Sequence, residues 1–288
     1  MFRCFRRESP TTSEPIFIIG VPRSGTTLLR VLFDSHPNIA CGPESPWLAR
    51  ASASVKNLYM YMTDDPFGYV KNFGAQREVV RSQMASLVNN LYLAYAQKKG
   101  KKRWAEKTPD HSLEIPFIAD LFPDARFVFI VRDGRDVACS TAILSDKRRE
   151  ISPWHSENIL LDDDNVVPNT LLNAALRWKI WNERIERSLS GLKHIRLRYE
   201  DLIAEPCKEL ERLTIFVGES YDSAMLEYMR KKHDYPDWEW GSTDVKKSSG
   251  INARSVNRWK QQLDKASLLE IESAICDSLK FYGYNLSI

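Results

Sequence analysis

The chain has 288 residues, 43% of them hydrophobic and 27% charged, with a formal net charge of +3. That composition excludes a disordered or fibrous chain and suits one α/β domain with a helical elaboration. So small a net charge gives no reason to expect a nucleic-acid partner, yet it leaves room for a local basic site holding an anionic ligand. Five cysteines (Cys4, Cys41, Cys139, Cys207, Cys276) are scattered and never spaced as CxxC, so they read as reduced thiols, not as a disulfide framework or zinc site. The basic start MFRCFRRESPTTSEP lacks the apolar core of a secretory signal, and no later run reaches membrane-spanning length. The expectation is a soluble, cytoplasmic protein with a flexible tail over residues 1–15 and a single domain over 16–288.

In chain order, Ile16 to Ile19 is a β-branched and aromatic run that predicts a buried strand, followed by a loop and a helix from Thr26 to the His36-Pro37 boundary. A turn is expected over Asn38 to Pro43. Residues 76–98 predict a long helix, with Val79, Val80, Met84, Leu87, Val88, Leu91 and Leu93 available for its buried face. A short strand at Arg103 to Glu106, a helix over 111–121 and a central strand at Arg126 to Val131 follow, then a helix through Val137, Ala138, Thr141, Ala142 and Leu144. Residues 146–168 and 233–250 have no clean period and read as insertions. Between them come a helix whose Trp178 and Trp181 belong to the core, a strand at His194 to Leu197, and helices near 205–217 and 221–232. A last helix is marked by Leu268, Ile271, Ile275 and Leu279. Strands alternating with helices predict a three-layer α/β fold, P-loop-like, with a mainly parallel sheet flanked by helices.

The chemistry concentrates in Ile16 to Arg30. Gly20 and Gly25 are spaced as in the phosphate-binding loop GxxxxGK[ST], with Thr27 at the hydroxyl position, but Thr26 replaces the lysine. Strand, loop and helix start form an anion site, and Arg23 adds a planar donor fork. Without the loop lysine, a nucleoside triphosphate is disfavoured. Lys107 and Arg132 lie at predicted strand ends, where open parallel sheets place ligands. The structural alternatives are a helix N-terminal carboxylate for Glu44, a surface lysine for Lys107, and a partner of Asp133 or Asp136 for Arg132 and Ser140.

The segments VPRSGTTLLR, FIVRDGRDVACS, YEDL and NRWK together resemble sulfotransferases that use 3′-phosphoadenosine 5′-phosphosulfate (PAPS). Glu44 after CG, Lys-x-Pro at Lys107 and STD at Ser242 to Asp244 place the resemblance nearest the tyrosylprotein sulfotransferase branch and its bacterial relatives. The resemblance implies an enzyme that moves a sulfuryl group from PAPS to an acceptor hydroxyl, on a peptide tyrosine, a carbohydrate or a small phenol or alcohol. The product nucleotide is the 3′,5′-bisphosphate PAP, and no metal is expected. It implies Glu44 as general base, Lys107 and Ser242 beside the transferring group, and Arg23, Ser24, Gly25, Thr26 and Thr27 on the phosphosulfate. Arg132 and Ser140 would hold the ribose phosphate, and Tyr199, Ser242, Thr243, Asp244, Asn252 and Arg258 would complete the nucleotide site. His36 and His111 are alternative bases, both read as structural. Trp47 stands where the branch carries a basic residue, Leu144 replaces an arginine, and Asp162 to Asp164 with Trp238, Glu239 and Trp240 suggest an acceptor less acidic than a peptide. A homodimer is left open. The rival functions are a P-loop kinase, which requires the missing lysine, and a non-catalytic nucleotide-binding module.

Overall fold

A computed structural model describes residues 14–49, 54–65, 68–148, 158–161, 165–235 and 250–287. Strand β1, Ile16–Ile19, is buried along its whole length. Helix α1, Thr26–Ser35, stops as expected at His36, whose extended backbone (φ −65°, ψ 139°) is the geometry imposed on a residue before proline. The next segment is a correction. Residues 39–41 form strand β2, Ile39–Cys41, because Ile39, Ala40 and Cys41 pair with Arg103, Trp104 and Ala105. Three residues are too few to carry a strand period of their own, so pairing decides the conformation.

Helices α2, Val55–Asp64, and α3, Tyr69–Asn72, have no counterpart among the predicted elements. Ser54 caps α2 by accepting the Asn57 N–H at 3.3 Å, and Tyr59 is its one fully buried side chain, with Val55 and Met62 packed half-buried against the core. Helix α4, Arg77–Lys98, buries Val80, Met84 and Val88, while Val79, Leu87 and Leu91 of the expected face are half exposed. Strand β3, Arg103–Glu106, leads into a 3-10 turn at Pro109–Leu113 and then α5, Ile115–Leu121. The single helix expected there is broken at Glu114 (φ −116°), just ahead of Pro116.

Strand β4, Arg126–Val131, and helix α6, Gly134–Arg148, form as read. The first insertion holds an antiparallel hairpin of β5, Asn158–Leu160, and β6, Val166–Pro168. Helix α7, Leu171–Leu189, buries Trp178 and Trp181, and strand β7, His194–Arg198, follows. Tyr199 to Asp201, read as a turn, opens helix α8, Tyr199–Ala204, ahead of α9, Pro206–Val217. In place of a helix over 221–232 the chain makes two 3-10 turns, Ser223–Met225 and Tyr228–Arg230, the first capped by Asp222 on the Ala224 N–H at 2.8 Å. A further 3-10 turn, Ala253–Ser255, precedes α10, Trp259–Gln262, and α11, Lys265–Phe281. Among the described residues no helix is long and apolar enough to cross a membrane.

Five strands form one sheet in the order β2-β3-β1-β4-β7, every neighbouring pair parallel. Alternation along the central strands divides the core. Phe17, Ile19, Phe127, Phe129 and Val131 face the layer built by α4 to α7 and α11, while Ile16, Ile18, Val128 and Ile130 face α1, α8 and α9. This is the doubly covered parallel sheet that the sequence predicts.

Candidate active site

All five strands run the same way, so their C-terminal ends share one edge of the sheet. The predicted site residues stand where the chain leaves those ends: Gly20 after β1, Glu44 three residues after β2, Lys107 after β3, Arg132 after β4 and Tyr199 after β7. Because β1 is central and the chain crosses it between β3 and β4, this edge contains the topological switch point at which open α/β sheets bind ligands.

The loop after β1 is tightly held. The Gly20 N–H donates to Ser112 Oγ at 2.9 Å, and the Ser112 hydroxyl returns a bond to the Gly20 carbonyl at 3.2 Å. A Cβ on Gly20 would lie 2.5 Å from the Ile130 carbonyl oxygen, so β4 can approach only a glycine. Arg23 adopts a left-handed backbone (φ 78°), a conformation that costs a non-glycine residue roughly 1–3 kcal/mol and clusters at functional sites. Gly25 (φ 98°) is the N-cap of α1 and provides no side chain to the helix start, leaving that end of the dipole to the loop. Ser24 Oγ is buried with no hydrogen-bond partner among the described residues. An orphaned hydroxyl in an anion loop, backed by a helix N-terminus, is a fit for phosphate or sulfate oxygens.

Glu44 and Lys107 form a close ion pair, with Lys107 Nζ on Glu44 Oε1, and Nζ also reaches Thr27 Oγ1 at 3.5 Å. The Lys107 side chain is 0% exposed and that of Glu44 18% exposed. Neither structural alternative holds: the lysine is not on the surface, and the carboxylate is partnered by a buried ammonium. His111 is fully buried, its Nδ1 bonded to Glu106 Oε2 at 2.7 Å. His36 accepts the Asn38 N–H on Nδ1 at 3.1 Å and meets the Ser220 carbonyl through Nε2 at 2.9 Å, which makes Nε2 the protonated nitrogen. Both histidines hold structure together, as read.

On the other flank Arg132 NH1 donates to the Arg23 carbonyl at 3.0 Å, and Arg23 Nε donates to Ser140 Oγ at 3.1 Å. The structure thus brings Arg23, Arg132 and Ser140 together. Arg132 also bonds the Ser255 carbonyl, stands 3.8 Å from Asp136 and lies over the Tyr199 ring at 4.9 Å, and its Nε is buried with no partner among the described residues. Burial raises the Tyr199 hydroxyl above its ordinary pKa, with Arg132 and Ser255 partly offsetting the rise.

Asp136, absent from the predicted set, fixes the NRWK segment: its Oδ2 accepts the Asn257 N–H at 2.9 Å and its Oδ1 the Trp259 N–H at 3.0 Å. Burial pushes that carboxyl above the usual range, although Arg132 opposes the shift. Arg258, between those anchored residues, is half-buried, and its charge acts on Cys139, next to Ser140. Asn252 caps the 253–255 turn by accepting the Arg254 N–H at 3.1 Å. Ser242, Thr243 and Asp244 lie outside the described residues, as do Asp162 to Asp164 and Trp238 to Trp240. Ser112, Asp136 and Glu106 are the supporting residues that motif reading passes over. An Asp in the first turn of a helix after a central strand was the available signal for Asp136.

Residues 15–223 match the sequence profile described as the Sulfotransferase family. The chain is 25% identical over 280 residues to a putative protein-tyrosine sulfotransferase of Caenorhabditis briggsae, covering 94% of this chain and 89% of that one. It is 25% identical over 298 residues to nodulation protein NoeE of Sinorhizobium fredii, covering 94% and 66% respectively. Its fold resembles the sulfotransferase domain from the curacin biosynthetic pathway, with a TM-score of 0.62 at 18% identity over 96% of this chain and 100% of that one. The chain belongs to the sulfotransferase family.

Proposed function

We propose that this enzyme transfers a sulfuryl group from PAPS to an acceptor hydroxyl, with Glu44 as general base and Lys107 as the fixed cation beside the transferring group. The observation that carries the reading is the buried Lys107 ammonium, which touches both Glu44 and Thr27 of the anion loop. Arg23 to Thr27 would hold the phosphosulfate; Arg132, Ser140 and Arg258 the second phosphate; and Tyr199, Asn252 and Ser242 to Asp244 the rest of the nucleotide. The orphaned Ser24 hydroxyl and Arg132 Nε supply donors suited to such a doubly anionic ligand.

When bound, PAPS supplies an activated sulfuryl group with a good leaving group. The chain supplies a carboxylate that takes the acceptor proton and an ammonium that keeps positive charge where negative charge develops. The acceptor is a hydroxyl compound; protein tyrosine is the class suggested by the likeness to the nematode putative protein-tyrosine sulfotransferase.

Calorimetric titration without metal tests the donor. PAP should bind in preference to ATP, and Arg132→Ala should weaken PAP by about 10-fold or more, the worth of one charge-assisted contact. Equal binding of both nucleotides, or a magnesium-dependent preference for ATP, overturns the reading.

A further inference from the structure

We infer that Glu106 is a positioning residue, whose buried carboxylate sets the placement of Glu44 relative to Lys107. The inference rests on the roles proposed above for those two residues. Glu106 ends β3 and is 2% exposed. A carboxylate in such a place is costly unless its lone pairs are satisfied. Its Oε1 accepts the Thr108 hydroxyl at 2.6 Å and the Ser45 hydroxyl at 2.9 Å, and its Oε2 is bonded to His111 Nδ1 at 2.7 Å.

An ionised carboxylate only accepts, so these contacts fix the proton directions. Ser45 and Thr108 both spend their single proton on Glu106. Thr108 Oγ1 is then left to accept the Ser45 N–H, at 2.8 Å, and Ser45 Oγ to accept the Tyr92 hydroxyl, also at 2.8 Å. Tyr92 is stacked between Trp104 (4.5 Å) and Trp47 (5.2 Å), so the far end of the network is rigid as well.

The connectivity points to catalysis more than to the fold. Ser45 follows Glu44 in the chain, and Thr108 follows Lys107, so the residues bonded to Glu106 Oε1 are one peptide bond from the proposed base and cation. Glu106 Oε1 thus joins the segment after β2 to the segment after β3, alongside the Lys107–Glu44 pair and the Ser45 N–H bond to Thr108. Apolar residues of similar volume would serve stability as well as a buried ion does. The carboxylate instead gives two segments from different strands a fixed separation, on which in-line transfer depends steeply.

The test uses Thr108→Val, which keeps the volume and removes the bridging hydroxyl, with Thr108→Ser as the conservative variant. Three quantities are read: sulfuryl transfer from PAPS to 4-nitrophenol, PAP affinity by calorimetry, and the crystal structure of Thr108→Val. The expected result is a kcat lowered by about 10- to 100-fold in Thr108→Val, PAP affinity unchanged within about twofold, a kcat restored in Thr108→Ser, and a displaced Glu44–Lys107 pair. Wild-type kcat in Thr108→Val, or a Glu44–Lys107 pair that superposes on the wild type, overturns the inference. Loss of PAP binding in step with kcat also overturns it, because the network would then serve the nucleotide site. If the wild-type protein binds no PAP, the sulfuryl-transfer reading fails, while the variant's crystal structure still decides whether the network sets the pair.

Discussion

Gly25→Ala isolates the backbone demand of the anion loop. Gly25 has φ 98°, and an added Cβ would stand 2.9 Å from Tyr199 Cε2 and nearer still to Cδ2. Two costs follow. A left-handed residue with a side chain loses about 1–2 kcal/mol, and overpacking against a buried ring costs about 1–3 kcal/mol. The sum, about 2–5 kcal/mol, corresponds to roughly 4–10 °C in melting temperature for a chain of this size. Gly74 provides the control, because it also has a left-handed backbone (φ 74°) but no atom within 4 Å of the position a Cβ would take. Gly74→Ala should therefore lose only the conformational part, roughly 2–4 °C. Melting curves at one scan rate compare the two, and calorimetry with PAP gives an independent reading. The Tyr199 ring that must move also carries the Arg132 guanidinium, so Gly25→Ala should weaken PAP and Gly74→Ala should not. If both variants melt within about 1 °C of each other and bind PAP alike, close packing of Tyr199 on the loop has no energetic consequence and the reasoning fails.

Glu106→Gln should lose stability in a pH-dependent way. Burial alone would raise the Glu106 carboxyl, but His111, Thr108 and Ser45 outweigh it and hold the pKa below its ordinary value of 4.5. A depressed folded-state pKa contributes stability that is fully present above the unfolded value and is lost as pH falls through the folded one. Urea midpoints should thus show a constant wild-type advantage above pH 4.5 that shrinks on further acidification, and an advantage that grows below it would refute the pairing. Thiol labelling followed by mass mapping checks the cysteines. Cys207 is exposed and should react in the folded protein, whereas burial raises the Cys41 thiol and pushes Cys139 up to about 11, so both should react only after denaturation.

Sequence legibility followed the source of each signal. β1 and β4 were readable because both of their faces are buried, giving apolar runs that need no partner to identify them. α7 was readable from its buried tryptophans. β2 was not, because its three residues become a strand only through β3, and α2 was not, because exposed Leu58, Met60 and Tyr61 mask the stripe of Val55, Tyr59 and Met62 that faces the core. The site divides in the same manner. Arg23, Glu44, Lys107, Arg132 and Ser140 were found from motifs and strand ends, and the fold joins them through the Arg23–Ser140 and Lys107–Glu44 contacts. Asp136 and Glu106 were missed because no motif marks them: Asp136 accepts backbone N–H groups of a distant segment, and Glu106 joins nearby Thr108 and His111 to the distant Ser45.

The missing loop lysine has a structural counterpart. In GxxxxGK[ST] the cation comes from the loop itself, but here Thr26 occupies that position and the ammonium arrives from the next strand, as Lys107 after β3. It reaches the hydroxyl of Thr27, the residue that ends the motif, while its charge is shared with Glu44. A cation shared with a carboxylate leaves the loop with less positive charge than a triphosphate requires, which agrees with a sulfuryl group and its smaller charge. The same sharing places the proposed base beside the proposed site of bond breaking. Had the lysine remained in the loop, the end of β3 would have had no cation with which to hold a carboxylate from β2. On this reading one relocated charge changes the expected cargo and brings the base into the site.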